Sequence, residues 1–129
     1  MQTFKKEERL CSKKIIGELF SEGYTFYKYP FLVKWSINDN PTDFEATLLI
    51  NVSKKHHKRS VDRNLIKRRI REAYRKNKNI LYDYLNENNI NLVFSLIYNS
   101  KEIALYKEIE LKIILILQRF QKEYEKTVR

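Results

Sequence analysis

The chain has 129 residues, with 26 Lys and Arg against 16 Asp and Glu for a net charge of +10, and this length suits one domain over residues 1–129. A hydrophobic share of 43% with nine Tyr, seven Phe and one Trp excludes a basic disordered tail, and the lone Cys11 excludes a disulfide scaffold. The charged start Lys5-Lys6-Glu7-Glu8-Arg9 lacks a signal-peptide core, and Ile113–Leu117, the longest aliphatic run, is far short of the roughly 20 residues that span a bilayer. A soluble, cytoplasmic protein with no membrane partner is expected.

Ser12 is placed to cap a first helix in which Ile15, Ile16, Leu19 and Phe20 recur at helical spacing, and Gly23 is placed to end it in a left-handed conformation. A short strand is expected near Tyr24–Tyr27. After Pro30, the segment Phe31–Ile37 is apolar at odd positions with Lys34 and Ser36 between them, a strand period of two. Turn formers fill 38–43, and Phe44–Val52 reads as a second run that would pair with the first as an antiparallel hairpin. Lys54–Ser60 reads as a basic loop. Asp62 is then expected to cap a helix over Arg63–Lys76, with Ile66, Ile70, Ala73 and Tyr74 on one side and Asn64, Lys67, Arg68, Arg71 and Arg75 on the other. A polar break at Asn86–Asn91 precedes Leu92–Tyr98, a continuous apolar run typical of a buried central strand. Asn99 and Ser100 would start the last helix, in which Tyr106, Ile109, Ile113, Leu117, Phe120 and Tyr124 keep helical spacing. The expected order is α-β-β-β-α-β-α, an α+β sandwich with helices packed on a small mixed sheet.

The charge is concentrated. Lys54–Lys78 holds twelve basic and two acidic residues, a local +10, while the remainder balances at fourteen of each sign. A solvated helix face would interleave Glu with Lys at i,i+4, whereas a segment of one sign suits a polyanion. Chemistry of the chain's own is not indicated. Gly17 and Gly23 are the only glycines, so there is no phosphate loop; His56 and His57 have no zinc-site spacing and read as exposed; the Glu7-Glu8 and Glu108/Glu110 pairs lack a credible general base. No catalytic or metal-binding residue is expected. Arginine forks suit phosphate oxygens, and Phe20, Phe31 and Trp35 are either base-stacking aromatics or core.

Asn51-Val52-Ser53-Lys54-Lys55, followed by Arg63-Asn64-Leu65-Ile66-Lys67-Arg68-Arg69-Ile70-Arg71-Glu72, resembles the R-N-x-x-K-R-x-x-R-E signature of the protein subunit of bacterial ribonuclease P. The resemblance extends from Arg9-Leu10 through the Phe31 and Leu92–Tyr98 strands to the final helix. It implies a left-handed βαβ crossover, an exception to the usual hand. It also implies ribonuclease P RNA as catalyst and partner, Mg²⁺ required through that RNA, precursor tRNA as substrate, and no DNA. Arg63, Asn64, Lys67, Arg68 and Arg71 match the positions that contact the catalytic RNA. Arg75 follows them in phase, and Lys54, Lys58 and Arg59 add a basic loop. Phe20 matches an aromatic of the cleft for the 5′ leader, with Phe31, Val33 and Lys55 on the cleft's sheet. The chain departs from the family pattern at Ile16, where many members carry an aromatic, and at 56–60, where many carry glycine. The alternative is a non-catalytic ribosomal or assembly-factor RNA-binding module.

Overall fold

A computed structural model of the protein describes residues 13–38 and 45–127. In chain order these form α1 (Lys13–Glu22), β1 (Tyr24–Lys28), β2 (Phe31–Ile37), β3 (Ala46–Val52), α2 (Ser60–Asn77), α3 (Asn79–Glu87), β4 (Leu92–Tyr98) and α4 (Tyr106–Thr127). The expected Ser12 cap and most of the expected turn, with Phe44, lie outside the described residues.

The strands form one sheet in the order β1-β2-β4-β3. β1 and β2 make an antiparallel hairpin, β2 and β4 are antiparallel, and β3 runs parallel to β4. The expected β2–β3 hairpin is therefore not formed. The helices α2 and α3 carry the chain back along the sheet, so β4 enters from the same end as β3. Being buried at six of its seven positions, it takes an interior slot between β3 and β2.

Alternation assigns the two faces. Phe31, Val33 and Trp35 of β2, Leu48 and Val52 of β3, and Leu92, Phe94, Leu96 and Tyr98 of β4 join Ile66, Ile70 and Tyr74 of α2, Leu81 and Leu85 of α3, and Ile109, Ile113 and Phe120 of α4 in the main core. The other face carries Leu32, Lys34 and Ser36, register-paired with Ile97, Ser95 and Val93. There α1 contributes Leu19 over Val93, with Ile15, Ile16 and Leu49 beside them.

Four local features differ from expectation. Gly23 has no positive φ. Its lack of a side chain is needed because a Cβ would collide with the Leu19 carbonyl and lie 3.1 Å from the Trp35 carbonyl. α2 begins at Ser60, with Arg59 as N-cap, so Asp62 sits inside the first turn, where its charge faces the positive helix end rather than capping it. α3 is additional to the expected elements, although Leu81, Tyr82 and Leu85, its buried residues, stand at helical spacing. α4 begins at Tyr106, not at Asn99 or Ser100, because backbone groups there are diverted into other bonds. The Tyr98 hydroxyl donates to Glu102 O at 2.7 Å and accepts from the Ala104 amide at 3.2 Å.

Candidate nucleic-acid interface

α2 packs Ile66, Ile70, Ala73 and Tyr74 into the core, so its opposite side is turned to solvent. Asn64 and Arg68 stand two residues either side of Ile66, half a helical turn away and thus diametrically opposite the core, while Lys67 and Arg71 stand on the flank between. Accordingly Asn64 and Arg68 are exposed, and Lys67 and Arg71 half-buried. Among the described residues no acid pairs with Lys67, Arg68 or Arg71. An unneutralised cation stripe of this kind raises the local anion concentration and offers the bidentate geometry that phosphates fit.

The remaining arginines of α2 are engaged internally. Arg63 stands nearly one full turn before Ile66, on the core side, and its Nη1 donates to His57 O at 2.8 Å and Lys58 O at 2.9 Å. Arg69 donates to Ala104 O at 2.6 Å, tying α2 to the approach to α4. Arg75 is ion-paired with Glu72. That hydrogen bond, aided by the charges of Arg75 and Lys76, holds the Glu72 carboxyl below its ordinary range. Of the expected phosphate ligands, Arg63 therefore commits its Nη1, and Arg75 its Nε and Nη2, to groups of the protein.

The basic loop presents Lys54, Lys55, Lys58 and Arg59 as exposed side chains, contiguous with the start of α2. His57, expected to be exposed, is buried, and His56 is half-buried. Their Nε2 atoms lie 2.7 Å from Ser100 O and 2.9 Å from Asn99 Oδ1. Among the described residues no three His, Cys, Asp or Glu converge in a way that would hold a metal ion. No described helix is long and apolar enough to cross a membrane.

The expected leader residues separate. Phe20 is 36% exposed on α1, with the Lys34 ammonium 5.7 Å from its ring centroid and donating to its carbonyl at 3.3 Å. It is not a core residue. Phe31 and Val33, by contrast, are completely buried; they occupy the odd positions of β2, which face α2 and α4, and their side chains cannot line an open surface. Trp35 is buried with them. The residues that do share the α1 side near Phe20 are Thr25 and Tyr27 of β1, beside Leu32 and Lys34 of β2. Their signal is present in the same period of two, read at the second and fourth residues of each strand. Beyond the other flank of α1, Glu18 and Glu22 line a cavity of about 400 Å³ and carry the wrong charge for a phosphate backbone.

A mixed α+β sandwich that displays an unpaired arginine and lysine stripe on a crossover helix, with a separate aromatic and lysine surface on the opposite face, is that of an RNA-binding protein. The family model described as Ribonuclease P matches residues 4–121. The "Ribonuclease P protein component" of Porphyromonas gingivalis is 35% identical over 105 residues, covering 81% of this chain and 77% of that protein. That of Petrotoga mobilis is 38% identical over 87 residues, covering 65% and 70%. The solved Staphylococcus aureus RNase P protein superposes with a TM-score of 0.69 at 21% identity, covering 86% of this chain and 93% of its own. The Thermotoga maritima RNase P protein does so with 0.69 at 24%, covering 86% and 96%. The chain belongs to the ribonuclease P protein family. It is a protein component of that ribonucleoprotein endoribonuclease, with ribonuclease P RNA as partner, and the ribosomal or assembly-factor alternative is not favoured.

Proposed function

We propose that the α2 stripe of Asn64, Lys67, Arg68 and Arg71, continued by Lys54, Lys55, Lys58 and Arg59, docks on the phosphate backbone of ribonuclease P RNA, while the α1 side of the sheet receives the single-stranded 5′ leader of precursor tRNA. The observation that carries this reading is the separation of the two surfaces. The cations flank one end of the crossover, and Phe20 with Lys34 stands on the opposite face of the sheet. Phe20 offers a π-face to any base, and Lys34 a charge to the neighbouring phosphate. Hydrolysis of the bond before the mature tRNA 5′ end is assigned to the RNA, with Mg²⁺ held by that RNA. The protein's part is to bind, to neutralise phosphates that Mg²⁺ would otherwise screen, and to hold the leader.

Reconstitution tests this. The protein without RNA should leave precursor tRNA intact at every Mg²⁺ concentration and should lower the Mg²⁺ that the RNA needs. Arg68→Ala should weaken binding to the RNA and reduce the slope of log K against log salt by about 0.7 to 0.9, one phosphate contact. An unchanged slope for Arg68→Ala and Arg71→Ala together would remove α2 from the RNA interface.

A further inference from the structure

The sequence singles out His56 and His57, and the phosphate-binding reading leaves them, with Arg63, without a task. We infer that Arg63, His56 and His57 are positioning residues, which lock the 54–59 loop against the β4–α4 connection so that its cations form a fixed rim at the start of α2. The inference rests on the RNA-docking reading above.

Arg63 is turned away from the Arg68 stripe. One nitrogen, Nη1, donates to both His57 O and Lys58 O, at 2.8 and 2.9 Å. Those carbonyls stand just outside α2, whose first backbone bond in this region runs from the Arg63 amide to Arg59 O at 3.2 Å. The guanidinium therefore supplies donors that the helix does not reach. On the far side of the loop a carbonyl and an amide oxygen can only accept, so both imidazoles must carry their proton on Nε2: His57 donates to Ser100 O at 2.7 Å and His56 to Asn99 Oδ1 at 2.9 Å. Asn99 is itself fixed, its amide donating to Pro30 O at 2.8 Å, and the His57 amide closes the turn onto Ser53 O at 3.1 Å. With each Nε2 occupied in this way, neither imidazole presents that atom to a metal or a phosphate.

Tethering matters here because of charge. Lys54, Lys55, Lys58 and Arg59 are exposed, and no acid stands between Ser53 and Val61. Four like charges on an untied loop would spread apart, and gathering them on an RNA would cost ordering entropy at the moment of binding. Three tethers meet that cost during folding instead.

The experiment measures affinity of the full chain for ribonuclease P RNA across a salt series, together with amide hydrogen exchange of residues 54–58 in the free protein. Arg63→Ala should weaken binding about tenfold with the salt slope unchanged, because the loop cations still reach their phosphates once bound. Arg68→Ala should instead lower the slope by about 0.7 to 0.9. Loop exchange should accelerate in Arg63→Ala and His57→Ala and stay at the wild-type rate in Arg68→Ala. His57→Gln keeps an N–H donor and should restore affinity and protection, and the Arg63→Ala/His57→Ala pair should cost less than the product of the singles. A slope reduced by a full contact in Arg63→Ala, with loop protection intact, would make Arg63 a phosphate ligand and overturn the inference. Failure of His57→Gln to recover what His57→Ala loses would overturn it equally, and that pair decides alone where Arg63→Ala does not fold. Should the wild-type chain fail to bind the RNA, the docking reading falls, while the exchange data still report on the tethers.

Discussion

On the side of the sheet that faces α2, α3 and α4, Phe31, Val33 and Trp35 of β2 are at most 1% exposed. On the side that faces α1, Leu32, Lys34 and Ser36 of the same strand are only half-buried, and Leu19 is the one buried side chain that α1 contributes. Two faces of one strand thus serve different ends. Three helices fill the first face with interlocking rings: Phe94 and Phe120 are 4.9 Å apart and Trp35 and Phe120 6.1 Å apart, both in edge contact. One short helix covers the second face incompletely and leaves aromatic and cationic side chains at its rim. Where the core is underfilled, surface remains that can bind.

The comparison is broken most severely from the packed side. Phe31→Ala should cost about 3 to 5 kcal/mol of stability, a fall in Tm of roughly 10 to 20 °C, without a specific loss of leader recognition in whatever fraction stays folded. Thermal melts beside leader-length titrations measure both. A near-native melt would mean that Phe31 is not core.

Phe20→Ala probes the other side and should behave in the reverse manner. Its melting should stay within about 1 kcal/mol of wild type, since the ring is partly exposed and lies outside both buried clusters. The preference of the holoenzyme for precursor over mature tRNA should fall by the loss of one stacked base, about 1 to 3 kcal/mol or 5- to 150-fold. A large drop in melting with discrimination unaltered would take Phe20 out of the leader surface.

Ser95→Ala sharpens the contrast beneath α1. The Ser95 and Thr47 hydroxyls, at buried positions on the α1 side of β4 and β3, have no hydrogen-bond partner among the described residues. Removing one should therefore be neutral or stabilising, by at most about 1 kcal/mol. Chemical denaturation reads this directly, and a loss above that size would show that the hydroxyl is bonded in solution.

Alkaline pH probes the helical side. Burial, followed by the hydrogen bond to Glu110, pushes the Tyr106 phenol up to about 12. An unfolded tyrosine ionises near 10, so the folded state holds this proton more tightly. The associated stability is present below about pH 10 and lost as pH rises through 12. Burial raises Tyr84 and Tyr98 in the same direction, so Tyr106→Phe should flatten only part of the decline in Tm between pH 9 and 12. A curve superimposable on that of wild type would dissociate Tyr106 from it.

Much of this was legible without coordinates, for reasons that can be named. The +10 segment, the amphipathic phase of α2 and the odd–even alternation of β2 are local properties. They depend on 3.6- and 2-residue periods that the backbone imposes whatever the fold. From them followed the core set Ile66, Ile70, Ala73 and Tyr74, the exposed Arg68, and the central position of Leu92–Tyr98. What tertiary structure alone decided was pairing and partnership. Strand order depends on where α2 and α3 return the chain, a long-range fact that no window of residues contains, and it turned an expected β2–β3 hairpin into β1-β2-β4-β3. Alternation separates the two sets of β2 side chains but cannot say which meets three helices, and Phe31 and Val33, which the family resemblance assigns to the cleft's sheet, belong to the packed face. Arg63, Arg75, His56 and His57 look like free polar groups in the sequence. The hydrogen bonds of Arg63 to loop carbonyls and of His56 and His57 to Asn99 and Ser100 exist only once folding brings these segments together, because a side chain's partners are set by proximity in space, whereas Arg75 meets Glu72 three residues away on the same helix.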